Sequence, residues 1–325
     1  MSMESSISTA KPLASQVGGH AGVLTTEDGS LIIKPALPLE LQFYQALQQN
    51  TDLEPLRPFI PNFLGTLKLE GQLDEAKSAE EGTISVAPVD NISHPFLKPN
   101  ILDVKLGTVL YDESASPEKV ERMIQTAKNT TSFETGIRLT GFQVYDNITS
   151  EAVNTPKSYG KSIKPADLPD GIARFFPVGA PPVQEGEERL HGASTSGLPL
   201  KTLLPILQGI RDEIADIKQA FSEIEVTMAG GSLLIVYEAD WLRAEEVIRK
   251  FLEDGECEDE EEEDEDEDED EEAGKRQGPP FTVKLIDFAH TRLAPGTGPD
   301  EGALLGMNTV LTLIDGRIAQ LEENI

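Results

Sequence analysis

A tract of acidic residues constrains this chain more than any other feature of its sequence. Residues 253–272 contain 18 Asp and Glu side chains, interrupted only by Gly255 and Cys257. Such a run cannot be buried, because each carboxylate would lose its hydration and repel its neighbours. Apolar, strand-like segments flank the tract, SLLIVYE at residues 232–238 and TVKLI at residues 282–286. We therefore predict that residues 253–278 form a disordered insertion that joins neighbouring elements of one fold.

The rest of the sequence is only moderately acidic. Without the 18 acids of the tract the formal charge of −31 becomes −13, so bulk charge disfavours nucleic-acid binding and none is expected. Cys257 is the single cysteine, which excludes an intramolecular disulfide. No apolar run approaches the roughly 20 residues of a membrane helix, and the N-terminus lacks the apolar core of a signal peptide. We expect an intracellular chain without a transmembrane segment.

Apolar periodicity divides the chain into a small and a large part. We predict a flexible tail over residues 1–17, an N-terminal lobe over 18–92 and a C-terminal lobe over 93–325. The N-terminal lobe is predicted as two strands, a helix and two further strands, which favours a small antiparallel sheet. The larger lobe mixes strands with long helical segments, so the predicted class is α+β.

Two charged residues interrupt an otherwise apolar segment, PNILDVKLG at residues 99–107. Side chains alternate between the two faces of a strand, so Asp103 and Lys105 share one face. Leu102, Val104 and Leu106 then face a core on the other side. A half-exposed edge strand that carries a salt-bridged pair is the alternative.

Further charged residues stand at the ends of predicted strands. Lys34 ends a strand of the small lobe, and Glu40 follows early in the next helix. A strand Lys paired with a helix Glu is the arrangement that holds ATP phosphates in kinases. Asp287 follows an apolar strand directly, a place that suits a magnesium ligand beside a nucleotide. Taken singly, Lys34 is more typical of a solvated strand end, and Asp287 is at least as typical of a turn or a helix cap.

A predicted helix after residue 116 concentrates positive charge. Lys119 and Arg122 are three residues apart and share one helical face, and Lys128 follows near the helix end. In an acidic protein such a group suits a polyanionic substrate. An ordinary surface helix is the alternative, and Glu118 and Glu121 favour it. The glycine-rich loop, His-Arg-Asp and Ala-Pro-Glu motifs of protein kinases are absent from the sequence, as is a Walker A loop.

In this order the segments resemble the inositol polyphosphate kinase family. Pro99-x-x-x-Asp103-x-Lys105-x-Gly107 matches the family signature, and four fixed positions match by chance in roughly a few per thousand chains of this length. The resemblance covers about residues 20–325 without the acidic tract, and it is nearest to the fungal multikinases of the family. Further matching segments are Ser232-Leu233-Leu234, Ile286-Asp287-Phe288, Asp170-Gly171, Arg174-Phe175-Phe176, and Asp300-Glu301-Gly302 with Gly306.

The resemblance implies a two-lobed, kinase-like α+β fold of the inositol polyphosphate kinase type, related to SAICAR synthase-like and ATP-grasp folds. It has a small antiparallel-sheet N-lobe that binds ATP and a larger α+β C-lobe that holds the inositol phosphate and the metal. Within the N-lobe, Lys34 would contact the ATP phosphates with support from Glu40. Asp90 and Ile92 would line the adenine between the lobes. Asp287 would hold Mg²⁺, with Mn²⁺ as a substitute.

The resemblance also implies roles around the reacting groups. Asp103 would bind either the ribose hydroxyls or the reacting inositol hydroxyl, and both alternatives stay open. Lys105 would stabilise the transferring phosphoryl group and orient the substrate. The implied ligands of the substrate phosphates are Lys119, Arg122 and His290. Animal members carry a further Lys at the position of Thr126, for which Lys128 would compensate here.

The implied activity is that of an ATP- and Mg²⁺-dependent multikinase, a phosphotransferase with alcohol acceptors. It would transfer the γ-phosphate to inositol tris- and tetrakisphosphates, towards inositol pentakisphosphate. One alternative is a 3-kinase restricted to inositol 1,4,5-trisphosphate. Another is an acidic interaction protein or transcriptional scaffold, whose tract binds basic nuclear or transcription-factor partners. The expected location is the nucleus and the cytoplasm.

Overall fold

Five antiparallel strands form the sheet of the N-terminal lobe in the computed structural model, which describes residues 10–13, 23–35, 37–69, 84–180, 194–257 and 279–323. Helix α1 and a 3-10 helix (Thr51–Phe59) connect the third and fourth of these strands. The strands pair in the order β1-β2-β3-β5-β4. The bounds are β1 (Lys11–Pro12), β2 (Leu24–Thr25), β3 (Leu31–Pro35), α1 (Pro38–Gln49), β4 (Leu67–Leu69) and β5 (Ile84–Asp90).

Strand β1 differs from the flexible tail predicted over residues 1–17. Lys11 lies opposite Thr25 and Pro12 opposite Leu24, and the Leu13 N–H donates to the Val23 carbonyl at 3.3 Å. The segment carries no strand pattern of its own, but β2 offers an edge whose backbone groups need partners. Residues 1–9 and 14–17 of the predicted tail lie outside the described residues.

A second antiparallel sheet, in the order β11-β10-β6-β7-β8, organises the C-terminal lobe. Strands β9 and β12 form a separate two-stranded pair. None of the described helices is long and apolar enough to cross a membrane. The elements are β6 (Pro99–Leu106), α2 (Pro117–Asn129), α3 (Ser132–Thr135), β7 (Ile137–Asp146), β8 (Glu151–Thr155), α4 (Lys157–Ser162), α5 (Leu168–Phe175), α6 (Leu200–Ser222), β9 (Val226–Met228), β10 (Ser232–Glu238), α7 (Trp241–Cys257), β11 (Phe281–Ile286), β12 (Thr291–Leu293) and α8 (Glu301–Glu322).

Strand β6 lies in the middle of this sheet, so it is not the half-exposed edge strand considered above. Leu102, Val104 and Leu106 are fully buried in the main core. On the opposite face Ile101 packs in a small cluster with Phe96 and Val236. Both faces of β6 are therefore covered, and the strand supplies a rigid base for its two charged residues.

A β-bulge interrupts the pairing of β6 with β7. Asp103 lies opposite Gly141, whereas Val104 lies opposite Leu139, so Thr140 is the extra residue on β7. Bulges of this kind bend a strand and redirect its side chains, and they are frequent beside functional sites. The bulge here stands directly beside Asp103.

Helix α7 was not predicted from the sequence. It follows β10 after two residues and extends to Cys257, so residues 253–257 of the predicted insertion belong to its end. The remainder of that insertion, residues 258–278, lies outside the described residues. Strands β10 and β11 pair directly, with Ser232 opposite Ile286 and Tyr237 opposite Phe281. The acidic tract thus belongs to the connection between two neighbouring strands.

Aromatic rings join the two lobes behind the interlobe cleft. Phe43 of α1 stacks on Phe288 of the C-terminal lobe, with ring centroids 4.6 Å apart. Tyr44 packs edge-on against Phe288 and stacks on Phe63. Because Phe288 directly follows Asp287, these contacts fix the predicted metal ligand relative to α1.

Candidate active site

The site is built around a buried carboxylate in the middle of β6. Asp103 is 2% exposed, and its Oδ1 atom has no hydrogen-bond partner among the described residues. Burial raises its pKa to about 6, although the charge of Lys105 and the hydroxyl of Ser232 act in the opposite direction. A carboxylate held in this way is poised to accept a proton or a hydrogen bond from a ligand.

Lys105 lies on the same side of the strand and reaches towards Asp287. Its Nζ donates to the Gly230 carbonyl at 2.6 Å and lies 3.6 Å from Asp287 Oδ2. Asp287 directly follows β11 and has a φ of 66°, a left-handed conformation that is uncommon outside glycine. A residue held in such a conformation at a strand end is often part of a functional site.

A second lysine approaches Asp287 from the small lobe. Lys34 of β3 lies 2.6 Å from Glu40 Oε1 and 4.0 Å from Asp287 Oδ1. Glu40 projects from α1 and is only 3% exposed. Burial alone would lower the pKa of Lys34, but Tyr44, Glu40 and Asp287 together raise it above its ordinary value. Lys34 therefore stays charged in the cleft.

These charged groups gather at one end of a cleft between the lobes. Lys34, Asp103 and Asp287 line that end. The Asp90 carboxylate also lines the cleft and accepts a hydrogen bond from Asn62 at 2.7 Å. The apolar part of the lining contains Ile32, Val89, Ile92, Ile101, Leu234 and Ile286. An apolar slot with cations at one end suits a nucleotide, whose base is flat and whose phosphates are anionic.

A divalent metal in this cleft would take its protein ligands from the carboxylates that line it. No group of three or more His, Cys, Asp or Glu side chains with metal-binding geometry occurs in the described part of the chain. Mg²⁺ does not require one, because it commonly uses one or two carboxylates together with substrate phosphates and water. Asp287 beside the unpartnered Oδ1 of Asp103 fits such a site once nucleotide phosphates are present.

A second cleft lies close to Lys105. It is lined by Ala229, next to the Gly230 carbonyl that Lys105 contacts, and by His290. Here His290 Nδ1 is paired with the Asp112 carboxylate. A hydrogen bond from Ser114 is the main reason why the pKa of Asp112 is lowered, and the charges of His290 and Lys119 lower it further.

The predicted basic residues of α2 do not all face this cleft. Lys119 lies near enough to Asp112 to lower its pKa, and it is half-buried. Arg122 is exposed on the same side of the helix. Lys128 follows Lys119 by nine residues, which at 3.6 residues per turn places it about 180° around the helix. The geometry thus favours Lys119 and Arg122 over Lys128 as substrate ligands.

Two cations near Asp103 were missed in the sequence. Arg138 of β7 lies opposite Lys105, and burial lowers its pKa. Its Nη1 is buried and has no hydrogen-bond partner in the part of the chain that the structure describes. Lys157 at the start of α4 is close enough to lower the pKa of Asp103. A basic residue between the apolar residues Ile137 and Leu139 is a pattern that could have marked Arg138 as a candidate. Only the register of β7 against β6 shows that Arg138 lies near Asp103.

Comparison with known proteins agrees with this geometry. Residues 87–315 match the model of the family described as inositol polyphosphate kinase. The chain is 34% identical to inositol polyphosphate multikinase of Saccharomyces cerevisiae, over 93% of this chain and 96% of that protein. It is 29% identical to the Schizosaccharomyces pombe multikinase and 30% identical to the human one, over 50% and 51% of this chain. These two matches span 61% and 40% of the relatives' lengths.

Solved structures give the same result. The crystal structure of inositol phosphate multikinase from S. cerevisiae, in complex with ADP and Mn²⁺, matches with a TM-score of 0.63 and 28% identity. The match covers 89% of this chain and all of that one. The predicted two-lobed α+β fold is thereby confirmed. The chain belongs to the inositol polyphosphate kinase family.

Proposed function

We propose that this chain is an inositol polyphosphate multikinase, which transfers the γ-phosphate of ATP to hydroxyls of inositol tris- and tetrakisphosphates, towards inositol pentakisphosphate. The observation that carries the proposal is the convergence of Lys34 and Lys105 on Asp287, which lines an apolar cleft together with Asp103. Similarity to the yeast multikinase over nearly the whole of both chains supports the multikinase over a narrower 3-kinase.

The mechanism follows from the positions of these residues. Lys34, fixed by Glu40, would hold the phosphates of the nucleotide, while Asp90 and Ile92 line the base. Asp287 would hold Mg²⁺, with Mn²⁺ as a substitute, and the metal would neutralise charge on the phosphates. Lys105 contacts the Gly230 carbonyl and lies near Asp287, where it would stabilise the phosphoryl group in transfer. Positioning and charge neutralisation suffice, because phosphoryl transfer needs little covalent chemistry from the protein.

Asp103 has two proposed roles that differ in their chemistry. As a general base it would take the proton of the inositol hydroxyl while that oxygen bonds to the γ-phosphorus and the bond to the ADP oxygen breaks. As a ribose ligand it would only accept hydrogen bonds from the nucleotide. His290, Lys119 and Arg122 would bind the phosphates of the acceptor in either case. Arg138 and Lys157 add positive charge beside Asp103 and would assist them.

One assay tests the proposed reaction. We expect the purified chain, with Mg²⁺-ATP and inositol 1,4,5-trisphosphate, to form tetrakis- and then pentakisphosphate, as followed by chromatography of the products. Lys105→Ala should lower turnover at least about 10²-fold, because it removes the charge nearest Asp287. Lys201→Ala changes an exposed lysine of α6 and serves as the matched control.

Three outcomes would contradict the proposal in different ways. Product formation that stops at the tetrakisphosphate would favour the 3-kinase. Normal turnover by Lys105→Ala would remove that residue from catalysis. An absence of any phosphorylated product from the unaltered chain would reject the kinase activity itself.

We further propose that the acidic tract gives the protein basic nuclear or transcription-factor partners, in the nucleus as well as the cytoplasm. Its support is the density of carboxylates, which attract basic surfaces. Deletion of residues 258–272 should leave kinase activity within about twofold, because none of the site residues belongs to the tract. The deletion should also reduce capture of basic nuclear proteins and nuclear fluorescence of a tagged chain. Unchanged capture and location would leave the tract as a solvated loop.

A further inference from the structure

Four charged side chains of the second cleft are engaged in two ion pairs. Asp112 pairs with His290, and Glu113 pairs with Arg292. The acids are neighbours in the loop between β6 and α2. The bases are two residues apart, with His290 directly before β12 and Arg292 within it. One short acidic segment therefore occupies two bases that both line the cleft.

The ion pair between Glu113 and Arg292 is not required to hold these two segments in place. The Glu113 side chain is 80% exposed and that of Arg292 is 39% exposed. Exposed ion pairs contribute little to stability, with a median near 0–1 kcal/mol. The backbone of Arg292 is already fixed by the pairing of β12 with β9, where it lies opposite Thr227. A ligand with a higher charge density than a carboxylate can displace Glu113 at small energetic loss.

The two bases are spaced for a polyanion. His290 lies in the turn before β12 and Arg292 lies within β12, and both side chains line the same cleft. A cyclic polyol with phosphates on neighbouring positions can address both bases at once. Arg292 offers a planar fork that binds phosphate with two hydrogen bonds, so it is the better phosphate ligand of the two.

Two further acidic residues line the second cleft beside Asp112 and Glu113. They are Asp300 and Glu301, and Asp300 is committed to the N–H groups of Met228 and Ala303. Lys119 of α2 lies close enough to Asp112 for its positive charge to lower the pKa of that carboxylate. Asp112 and Glu113 bring the number of carboxylates that line the cleft to four. These carboxylates repel an anionic substrate unless His290 and Arg292 leave their acidic partners and bind the substrate.

On this basis, and resting on the proposed kinase function, we propose that Arg292 is a further substrate-binding residue. Before substrate binds, Glu113 occupies the position at Arg292 that a substrate phosphate then takes. One phosphate of the inositol polyphosphate replaces the Glu113 carboxylate at Arg292, while another replaces Asp112 at His290. Glu113 thereby sets substrate affinity by competition, and it takes no part in the chemical step.

Steady-state kinetics with inositol 1,4,5-trisphosphate at saturating Mg²⁺-ATP test this proposal. Glu113→Gln should lower the KM for the trisphosphate about threefold to tenfold and leave kcat and the KM for ATP unchanged. Arg292→Gln should raise that KM about tenfold or more. In the double variant Glu113→Gln should no longer lower the KM for the trisphosphate, because the arginine for which the carboxylate competes is then absent. Glu245→Gln removes the same charge from an exposed pair with Lys201 and is the matched control.

The outcomes separate this inference from the function on which it rests. If the unaltered chain phosphorylates the trisphosphate but neither variant changes its KM, the pairing is structural and the inference is wrong. An equal fall in KM for Glu245→Gln would attribute the effect to net charge and would also overturn it. No turnover by the unaltered chain would reject both. Thermal unfolding of each variant shows whether a raised KM reflects loss of the fold.

Discussion

Asp103→Asn is expected to inactivate the enzyme and, at the same time, to make the folded chain more stable. If the carboxylate takes the proton of the inositol hydroxyl, kcat should fall about 10²–10⁴-fold while the KM for ATP changes little. If it binds the ribose hydroxyls, the main effect should be a rise in the KM for ATP. Initial rates at varied ATP and varied inositol 1,4,5-trisphosphate distinguish these two roles.

The gain in stability follows from the burial of Asp103. Its pKa rises from 3.8 to about 6 on folding, so the folded state binds this proton more tightly than the unfolded state does. That favourable contribution is complete below pH 3.8 and is lost as the pH rises to about 6. At pH 7 the ionised group destabilises the fold, and a neutral amide of similar shape removes this effect. We expect a gain of about 1–2 kcal/mol, a few degrees in Tm.

Thermal unfolding at pH 7.5 and at pH 5 is the corresponding measurement. The advantage of Asp103→Asn should be largest at the higher pH and should shrink at the lower one. Asp315→Asn alters an exposed carboxylate that pairs with Arg211, and it should change Tm little at either pH. A variant with an unchanged kcat and an unchanged KM for ATP, or one that is less stable than the unaltered chain at pH 7.5, would contradict this account of Asp103.

Asp287→Asn should abolish the metal-dependent part of nucleotide binding. Asn retains the size of the side chain and tolerates the left-handed backbone at this position, so the fold should persist. An amide cannot replace the charge of a carboxylate towards a divalent ion. We expect the affinity for ADP to lose its dependence on Mg²⁺ or Mn²⁺, and turnover to fall about 10³-fold.

Titration calorimetry with ADP, in the presence and absence of each metal, measures this effect. The Asp→Asn change at residue 90 serves as a comparison, because Asp90 lines the same cleft away from the lysines. Its effect on ADP affinity should be independent of the metal. Unchanged affinity of Asp287→Asn with Mg²⁺ present would exclude Asp287 as the metal ligand.

The parts of the site that sequence reasoning could reach are those set by local geometry. Alternation along a strand places Asp103 and Lys105 on one face and Leu102 and Val104 on the other, because it depends only on the pleat of β6. A strand that ends in Asp287 is likewise a local feature. The strong apolar pattern of residues 99–107 made this strand predictable although its neighbours lie far away in the chain.

The parts that sequence reasoning missed depend on long-range register. Arg138 reaches the site only because β7 pairs with β6 across a bulge at Thr140. The partnership of Asp112 with His290 joins segments 178 residues apart and has no local signal. Helix α7 was overlooked because the acidic tract that follows it dominates the composition of that region. A short strand such as β1 forms because another strand offers it an edge.

The stacking of Phe43 on Phe288 has a consequence for how activity is controlled. In protein kinases, regulation moves the helix that carries the Glu partner of the ATP-binding lysine, and an aromatic residue next to the metal ligand swings with it. Here both rings are buried against each other, and Glu40 already contacts Lys34. The ion pair and the ring contact that assemble an active protein kinase are therefore both already formed in this structure.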